Sequence, residues 1–411
     1  MTVAALTGGR QQTTADPEVT LWIPPQDEPE PELSIVIPAL NEQLTIEEFI
    51  AWCHEGLRAA GVRGEILIVD SSADDTAALA LRGGARVLRT PKRGLGRAYL
   101  DALPHIRGKY VLMGDCDCTY DFRQLTPFVE QFRAGFEFVM GSRFRGYIEA
   151  GSMPPLHRYL GTPVTTGILN VIFGSHFSDI HCGMRGITRQ ALQRMDLRSQ
   201  SWEYASEMVL KSVHMGLRTA EVPIRFLKDR DGRLSHHKRA GWFSPWQAAW
   251  INLRAMFVYG ANFFLYKPGL LMLVLGLLLT LPLSFGQLTV GPITFSLHWM
   301  LLGVSLAILG LQSVFMGILT QVFFDYSGER TRFWFRRFPY TRSVGIAALL
   351  FGGGGVLTAL LSASYVRHGY RLPDESVINN LGVTGLLLMI VGFMTFTFTL
   401  LLHSTAVARR R

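Results

Sequence analysis

Only four cysteines occur in the 411 residues, Cys53, Cys116, Cys118 and Cys182, and they show no disulfide spacing. A disulfide-stapled fold is excluded, and thiols in a part of the chain read as cytosolic stay reduced. Cys116 and Cys118 form a C-x-C pair. At a strand end they would alternate with the flanking aspartates and face away from them, which argues against a soft-metal site. Residues 1–32 lack an apolar run of signal-peptide type; they are polar, proline-rich and acidic around 24–31, and read as a disordered tail. A net charge of +8 and a pI near 9.5 could suit nucleic acid. The basic residues instead cluster beside apolar segments, and no aromatic-plus-basic RNA-binding motif is present, so no nucleic-acid partner is expected.

Charge is what the C-terminal part lacks. From Lys267 onward the chain turns strongly apolar, and segments 268–285, 299–323, 343–365 and 381–406 are each long enough to span a bilayer. Runs this long with so few charges are rare in a soluble core. The 287–297 loop has no Lys or Arg, whereas the 325–342 loop carries Arg330, Arg332, Arg336, Arg337 and Arg342. The third loop has only Arg367 and Arg371, and the tail ends in Arg409, Arg410 and Arg411. By the positive-inside rule both termini are cytoplasmic. Just before the first span, Trp242, Phe243, Trp246, Trp250, Leu253, Phe257, Phe263 and Phe264 mix with Gln247, Asn252, Arg254 and Asn262, after Lys238 and Arg239. That composition predicts one or two helices lying in the bilayer interface over 241–266.

The middle of the chain alternates strands and helices. Apolar strand patterns fall at 33–38, 66–70, 85–88, 110–113, 137–140 and 220–226, and amphipathic helix patterns at 45–60, 74–82, 95–106 and 125–134. Strands separated by helices of this length predict an α/β domain over 33–240, its mostly parallel sheet covered on both faces. A four-helix transmembrane domain over 267–411 follows it. The 110–113 strand stops at Gly114 and presents Asp115 and Asp117. Strand alternation puts both carboxylates on one face at the carboxyl edge of the sheet, where open α/β sheets bind ligands. Two hard oxygen donors there suit Mg²⁺ or Mn²⁺ shared with substrate phosphates.

The first strand, Ser34-Ile-Val-Ile-Pro38, hands Asn41 and Glu42 to the loop above it. Taken alone, this could be a strand before a helix whose N-cap is Thr45, with Glu48 closing a capping box. With the next strand end, Asp70-Ser-Ser-Ala-Asp-Asp-Thr76, it resembles the opening of a family 2 glycosyltransferase. The resemblance sharpens to the polyprenyl-phosphate branch, typified by dolichol-phosphate mannose synthase. Lys92-Arg-Gly-Leu-Gly-Arg-Ala-Tyr99, Gly141-Ser-Arg143, Asp179-Ile-His-Cys-Gly-Met-Arg185, Glu207, Glu221-Val-Pro-Ile224 and Arg230-Asp-Gly232 with Ser235 follow in that branch's order. Three departures stand out. The 70–76 loop lacks the usual Gly, Thr119 stands where Gln is frequent, and Ser235-His236-His237-Lys238 replaces a terminal Ser-Lys.

The resemblance implies a glycosyltransferase A-type nucleotide-binding domain. It places Pro38, Asn41, Glu42, Asp70, Lys92, Asp115, Cys116 and Asp117 at the nucleotide sugar (UDP- or GDP-linked), with the metal on Asp115 and Asp117. It places Arg143, Arg185, Arg230 and Lys238 at an acceptor phosphate, and makes Asp117, Arg143 and Arg230 the catalytic set. The acceptor implied is a dolichyl or undecaprenyl phosphate, transfer inverting and metal-dependent, and a homo-oligomer is possible. Glu207 could orient a sugar hydroxyl or pair with one of the arginines. A phosphate acceptor, largely a dianion at neutral pH because its second pKa is about 6, needs little general-base help, so the lack of a His–Asp pair is no objection. Transfer to another lipid such as diacylglycerol, and a non-catalytic scaffold or lipid-flipping partner, are the alternatives. The absence of a Gln-x-x-Arg-Trp motif argues against a processive polysaccharide synthase.

Overall fold

A computed structural model describes residues 9–201, 203–230, 232, 254, 257, 260, 262–325, 328–371 and 377–408. The chain forms two units, residues 1–256 and 257–411. Most of the stretch read as interfacial, 241–266, lies outside the described residues, as does Lys238.

The first unit is built on a nine-stranded sheet in the order β1-β2-β5-β4-β3-β6-β8-β7-β9. The strands are β1 Arg10–Thr13, β2 Thr20–Ile23, β3 Leu33–Ala39, β4 Gly64–Asp70, β5 Arg86–Arg89, β6 Tyr110–Met113, β7 Phe138–Ile148, β8 Arg185–Thr188 and β9 Thr219–Phe226. β3 pairs in parallel with β4 and β6, β4 with β5, and β7 with β9, while β8 runs antiparallel between β6 and β7. Every strand expected from the alternation is present. Ile35, Val36, Ile37, Leu67, Ile68, Val111 and Leu112 are wholly buried, as expected of central strands covered on both faces. Helix α1, Ile46–Ala59, turns Ile46, Phe49, Ile50, Cys53 and Leu57 inward at helical spacing. Six more helices follow: α2 Thr76–Arg82, α3 Leu95–Ala102, α4 Thr126–Arg133, α5 Thr162–Phe173, α6 Arg189–Met195 and α7 Glu203–His214.

The disordered tail expected over 1–32 is corrected by β1 and β2. They form an antiparallel hairpin, and β2 pairs antiparallel with β5, Leu21 opposite Leu88. Val19, Leu21 and Ile23 point inward and are buried. That period-two pattern was present in Val19-Thr-Leu-Trp-Ile23, but too short to stand out from its proline-rich, acidic surroundings.

Among its described residues the second unit contains four helices long and apolar enough to cross a membrane: Asn262–Leu283, Leu297–Phe323, Tyr340–Arg367 and Val377–Thr405. They match the four expected spans. A short hairpin of Leu288–Val290 with Ile293–Phe295 joins the first two, and helix Glu329–Arg337 joins the second and third. Glycines seven residues apart on each helix, Gly269 and Gly276 on the first span and Gly303 and Gly310 on the second, bring the two into backbone contact. A Cβ on Gly276 would fall 2.3 Å from the Ala307 nitrogen, and one on Gly310 2.3 Å from the Leu273 nitrogen. Without a hydrophobic force between helices in lipid, such close approach carries the packing. Gly310→Leu should therefore force the helices apart, at about 1–3 kcal/mol or more. Ser305→Leu, on an exposed face of the same span, should cost little. Denaturing-detergent titrations compare the two variants, and equal midpoints would refute the packing argument.

Candidate active site

The carboxyl ends of β3, β4 and β6 build one rim. The β3–β4 register puts Ala39 beside Asp70, and the loops above are stitched together. Asn41 takes a left-handed backbone (φ 57°), a conformation Asn tolerates better than most residues. Its N–H donates to Ser72 Oγ (2.7 Å), and its Oδ1 accepts from the Ala73 N–H (2.9 Å). The Glu42 N–H donates to Thr76 Oγ1 at 2.9 Å, and Glu42 is buried. Ser72 and Thr76 hold this loop in the absence of the usual Gly. Thr45 makes no side-chain cap to α1, and Glu48 turns elsewhere, so the capping-box alternative is not what these residues do.

Asp70 is fully buried at the end of β4, ion-paired with Arg89 of the adjacent strand. Its Oδ1 is buried with no hydrogen-bond partner among the described residues. Burial pushes its pKa up, only partly offset by Ser72 and Arg89. A buried acceptor without a donor is costly, and a nucleobase or ribose donor would satisfy it.

β6 ends at Met113, and the loop after it bends, with Cys118 in a left-handed backbone (φ 58°), yet burial still alternates along it. Cys116 and Cys118 are buried while Asp115 and Asp117 stay half-exposed. Cys116 Sγ lies 3.7 Å from the Pro38 carbonyl and Cys118 Sγ 3.7 Å from that of Thr45, tying the aspartate loop to the loop after β3. With its thiol in the core, Cys116 has only its backbone to offer a ligand. Asp117 Oδ1 accepts from Thr119 N (3.0 Å) and Oγ1 (2.6 Å). Asp115 sits against Gly183, where an added Cβ would meet its Oδ2 at 2.7 Å. Among the described residues no group of three or more His, Cys, Asp or Glu is placed to hold a metal. The donor set fits an Mg²⁺ or Mn²⁺ that takes one or two carboxylate oxygens from the protein and completes its shell with substrate phosphates and water.

Each described arginine that the resemblance places at the acceptor already has a partner. Arg143, on β7, is buried and grips Asp179 with Nε (2.7 Å) and Nη2 (2.8 Å), its guanidinium 5.3 Å from the Phe226 ring centroid. Burial opposes its charge but is outweighed, and its pKa is raised. Arg185, at the start of β8, donates to the carbonyls of Cys182 (2.6 Å) and Ala205 (2.9 Å). Both therefore shape the 179–185 loop that lies against Asp115. His181 in that loop is pushed down to about 4 by burial and Arg143, so it is neutral at pH 7. Arg230 is more open. Its Nε donates to Glu48 at 3.1 Å, and its guanidinium lies 5.4 Å from the Trp52 ring centroid. No local pattern linked Glu48 to Arg230, which is 182 residues away.

Among the described residues Glu207 pairs with Lys211 (2.7 Å) and with no arginine side chain. It also accepts the backbone N–H groups of Arg198 and Ser199, the latter at 2.9 Å. Burial works against its ionisation, but Lys211 and Ser199 hold its pKa below the usual carboxylate range. Lys92 is exposed, between β5 and α3.

The rim lies on a mostly parallel α/β sheet, and apolar helices of membrane-spanning length follow it in the chain. Residues 34–196 match the glycosyl transferase family 2 domain, and residues 318–406 match the glycosyltransferase family 2 C-terminal transmembrane region. The chain is 34% identical over 345 residues to the low-salt glycan biosynthesis hexosyltransferase Agl6 of Haloferax volcanii, covering 83% of this chain and 81% of that protein. It is 28% identical over 210 residues to the dolichyl-phosphate hexose transferase of the same organism, covering 51% and 89%. Glucosyl-3-phosphoglycerate synthase from Mycobacterium tuberculosis aligns at 22% identity over 55% of this chain and 79% of that one, with a TM-score of 0.42. The chain belongs to glycosyltransferase family 2. It is an integral membrane glycosyltransferase.

Proposed function

We propose that the enzyme moves one sugar from a UDP- or GDP-linked donor onto the phosphate of a polyprenyl phosphate at the cytoplasmic face, with inversion. The observation that carries this reading is the half-buried Asp115/Asp117 pair on the strand rim, in a chain that also carries a four-span membrane unit. The likeness to a dolichyl-phosphate hexose transferase supports the acceptor class. The arginine-rich 325–342 loop supports the cytoplasmic orientation.

Asp70 receives the nucleoside, and Lys92 meets the donor diphosphate. Asp115 and Asp117 would hold Mg²⁺ or Mn²⁺, which supplies Lewis-acid stabilisation of the departing nucleoside diphosphate. Arg230, with Lys238, holds the acceptor phosphate near it; Arg143 and Arg185 support that face through the 179–185 loop. One phosphate oxygen attacks the sugar's C1 as the bond from C1 to the diphosphate breaks, and the leaving group carries away the electron pair. The acceptor brings its own charge, so no protein nucleophile or general base is called for.

Sealed inverted vesicles given labelled nucleotide sugars and polyprenyl phosphate should form a glycosylated lipid, while right-side-out vesicles should not. NMR of the product from an α-linked donor should show a β linkage. An α product would rule out the single displacement, and labelling of diacylglycerol instead would replace the acceptor.

A further inference from the structure

The hairpin of β1 and β2 lies before the region matching the family, which starts at residue 34. Its turn nonetheless reaches the loop that carries Lys92. Arg93 Nη1 lies 2.8 Å from Asp16 Oδ2, and its Nη2 pairs with Glu18. The turn is itself braced. Thr14 Oγ1 donates to the carbonyls of Asp16 and Val19, both at 2.8 Å, and the Glu18 N–H donates to Asp16 Oδ1 at 3.0 Å. Pairing of β2 with β5 anchors the arm to the sheet.

The Lys92 loop is held at both ends. At its start the Thr90 N–H donates to the Asp70 carbonyl (2.9 Å). At its end Gly94 has φ 115° and abuts the 198–201 segment, where an added Cβ would fall 2.4 Å from the Gln200 carbonyl oxygen. The Arg97 N–H donates to that same oxygen at 3.0 Å, and Glu207 caps the segment from below. Between these points lie Lys92 and Arg93, where Arg93's ion pairs supply the side-chain hold; its contact with Asp101 is longer, at 3.9 Å.

We propose that Asp16 and Glu18 are positioning residues for the donor: by gripping Arg93 they hold the adjacent Lys92 where its ammonium meets the nucleotide sugar's diphosphate. This rests on the donor role given to Lys92 above. The clamp also neutralises Arg93, so that Lys92 presents the loop's charge to the donor. Asp16 and Glu18 are partly exposed (36% and 66% of the side chain), and exposed pairs add little to folding stability. The clamp therefore acts on how the loop is held and scarcely on whether the domain folds.

The test uses the full-length membrane enzyme with Asp16→Asn/Glu18→Gln, Arg93→Ala, Arg93→Lys and Lys92→Ala. The double variant and Arg93→Ala should raise the donor KM roughly tenfold, as expected when one charge-assisted contact to phosphate is weakened. The kcat, the acceptor KM and the thermal midpoint should stay near wild type, and Arg93→Lys should recover part of the loss. Added salt should shrink the wild-type advantage, because the pairs are exposed. If Lys92→Ala raises the donor KM and the double variant does not, the clamp is overturned and the donor role of Lys92 stands. If Lys92→Ala leaves the donor KM unchanged, that role falls and the clamp's purpose falls with it. A double variant that lowers the midpoint and weakens donor and acceptor alike would make the hairpin merely structural, which also overturns the proposal.

Discussion

Asp117→Ala is expected to remove nearly all sugar transfer and to leave the protein folded. Asp117 is partly exposed in the loop after β6, and its carboxylate accepts from Thr119 N and Oγ1 within that loop. Losing such contacts should cost on the order of 1 kcal/mol each, too little to unfold an α/β domain with a large buried core. The chemical loss should be far greater. Departure of the nucleoside diphosphate builds negative charge, and deleting one preorganised electrostatic partner typically lowers kcat by about 10²–10³. Losing the metal itself should exceed that. Purified Asp117→Ala should keep its thermal midpoint and lose turnover with both Mg²⁺ and Mn²⁺, and wild type in EDTA should behave like the variant. Normal turnover in either case would remove the metal assignment. Thr119→Ala should lose much less, because Thr119 orients the carboxylate without replacing it.

Arg230→Ala is expected to weaken transfer strongly while sparing donor hydrolysis by water. In the structure Arg230 rests on Glu48 and Trp52, with about two-fifths of both the Arg230 and Glu48 side chains exposed. An ion pair that open is worth less than about 1 kcal/mol. A dianionic lipid phosphate can therefore draw Arg230 away from Glu48 at small cost. A charge-assisted contact to phosphate is worth on the order of 1.5–3 kcal/mol, so its loss should lower kcat/KM for the lipid roughly ten- to a hundredfold. Hydrolysis of the nucleotide sugar, measured without lipid, should fall less. Equal loss of both would assign Arg230 to the donor diphosphate, and the acceptor cation would then be sought among Arg143, Arg185 and Lys238. Arg143 and Arg185 would be weak successors, because Asp179 and the carbonyls of Cys182 and Ala205 already engage them.

Which features were legible from the sequence follows from how far apart the interacting residues lie. Strands β3 to β7 and β9 and the four spans are repeated local patterns, and backbone periodicity turns each pattern into an element without help from distant chain. β8, Arg185–Thr188, was not expected, because its short Arg-Gly-Ile-Thr run carries no such pattern. The expected alternation matches the burial of Cys116 and Cys118 and the partial exposure of Asp115 and Asp117, but β6 ends at Met113 and the bends after it, with Cys118 left-handed, are what the fold supplies. The order of motifs from Asn41 to Arg230 placed the chain in its family.

Partner choice was left to the tertiary structure. The sequence marked Arg143, Arg185, Glu207 and Arg230 as charges with chemistry to do. Only the fold decided that Asp179 neutralises Arg143, that backbone carbonyls hold Arg185, that Lys211 takes Glu207 and that Glu48 receives Arg230. The hairpin at Arg10–Ile23 belongs with these. Its composition reads as disorder, and it is ordered because β5 offers an open sheet edge to Thr20–Ile23 and Arg93 offers a cation to Asp16 and Glu18. A local pattern specifies an element through the geometry of adjacent residues. An ion pair or an edge strand is specified by which distant segments the folded sheet brings within a few ångströms, and short-range sequence carries no record of that.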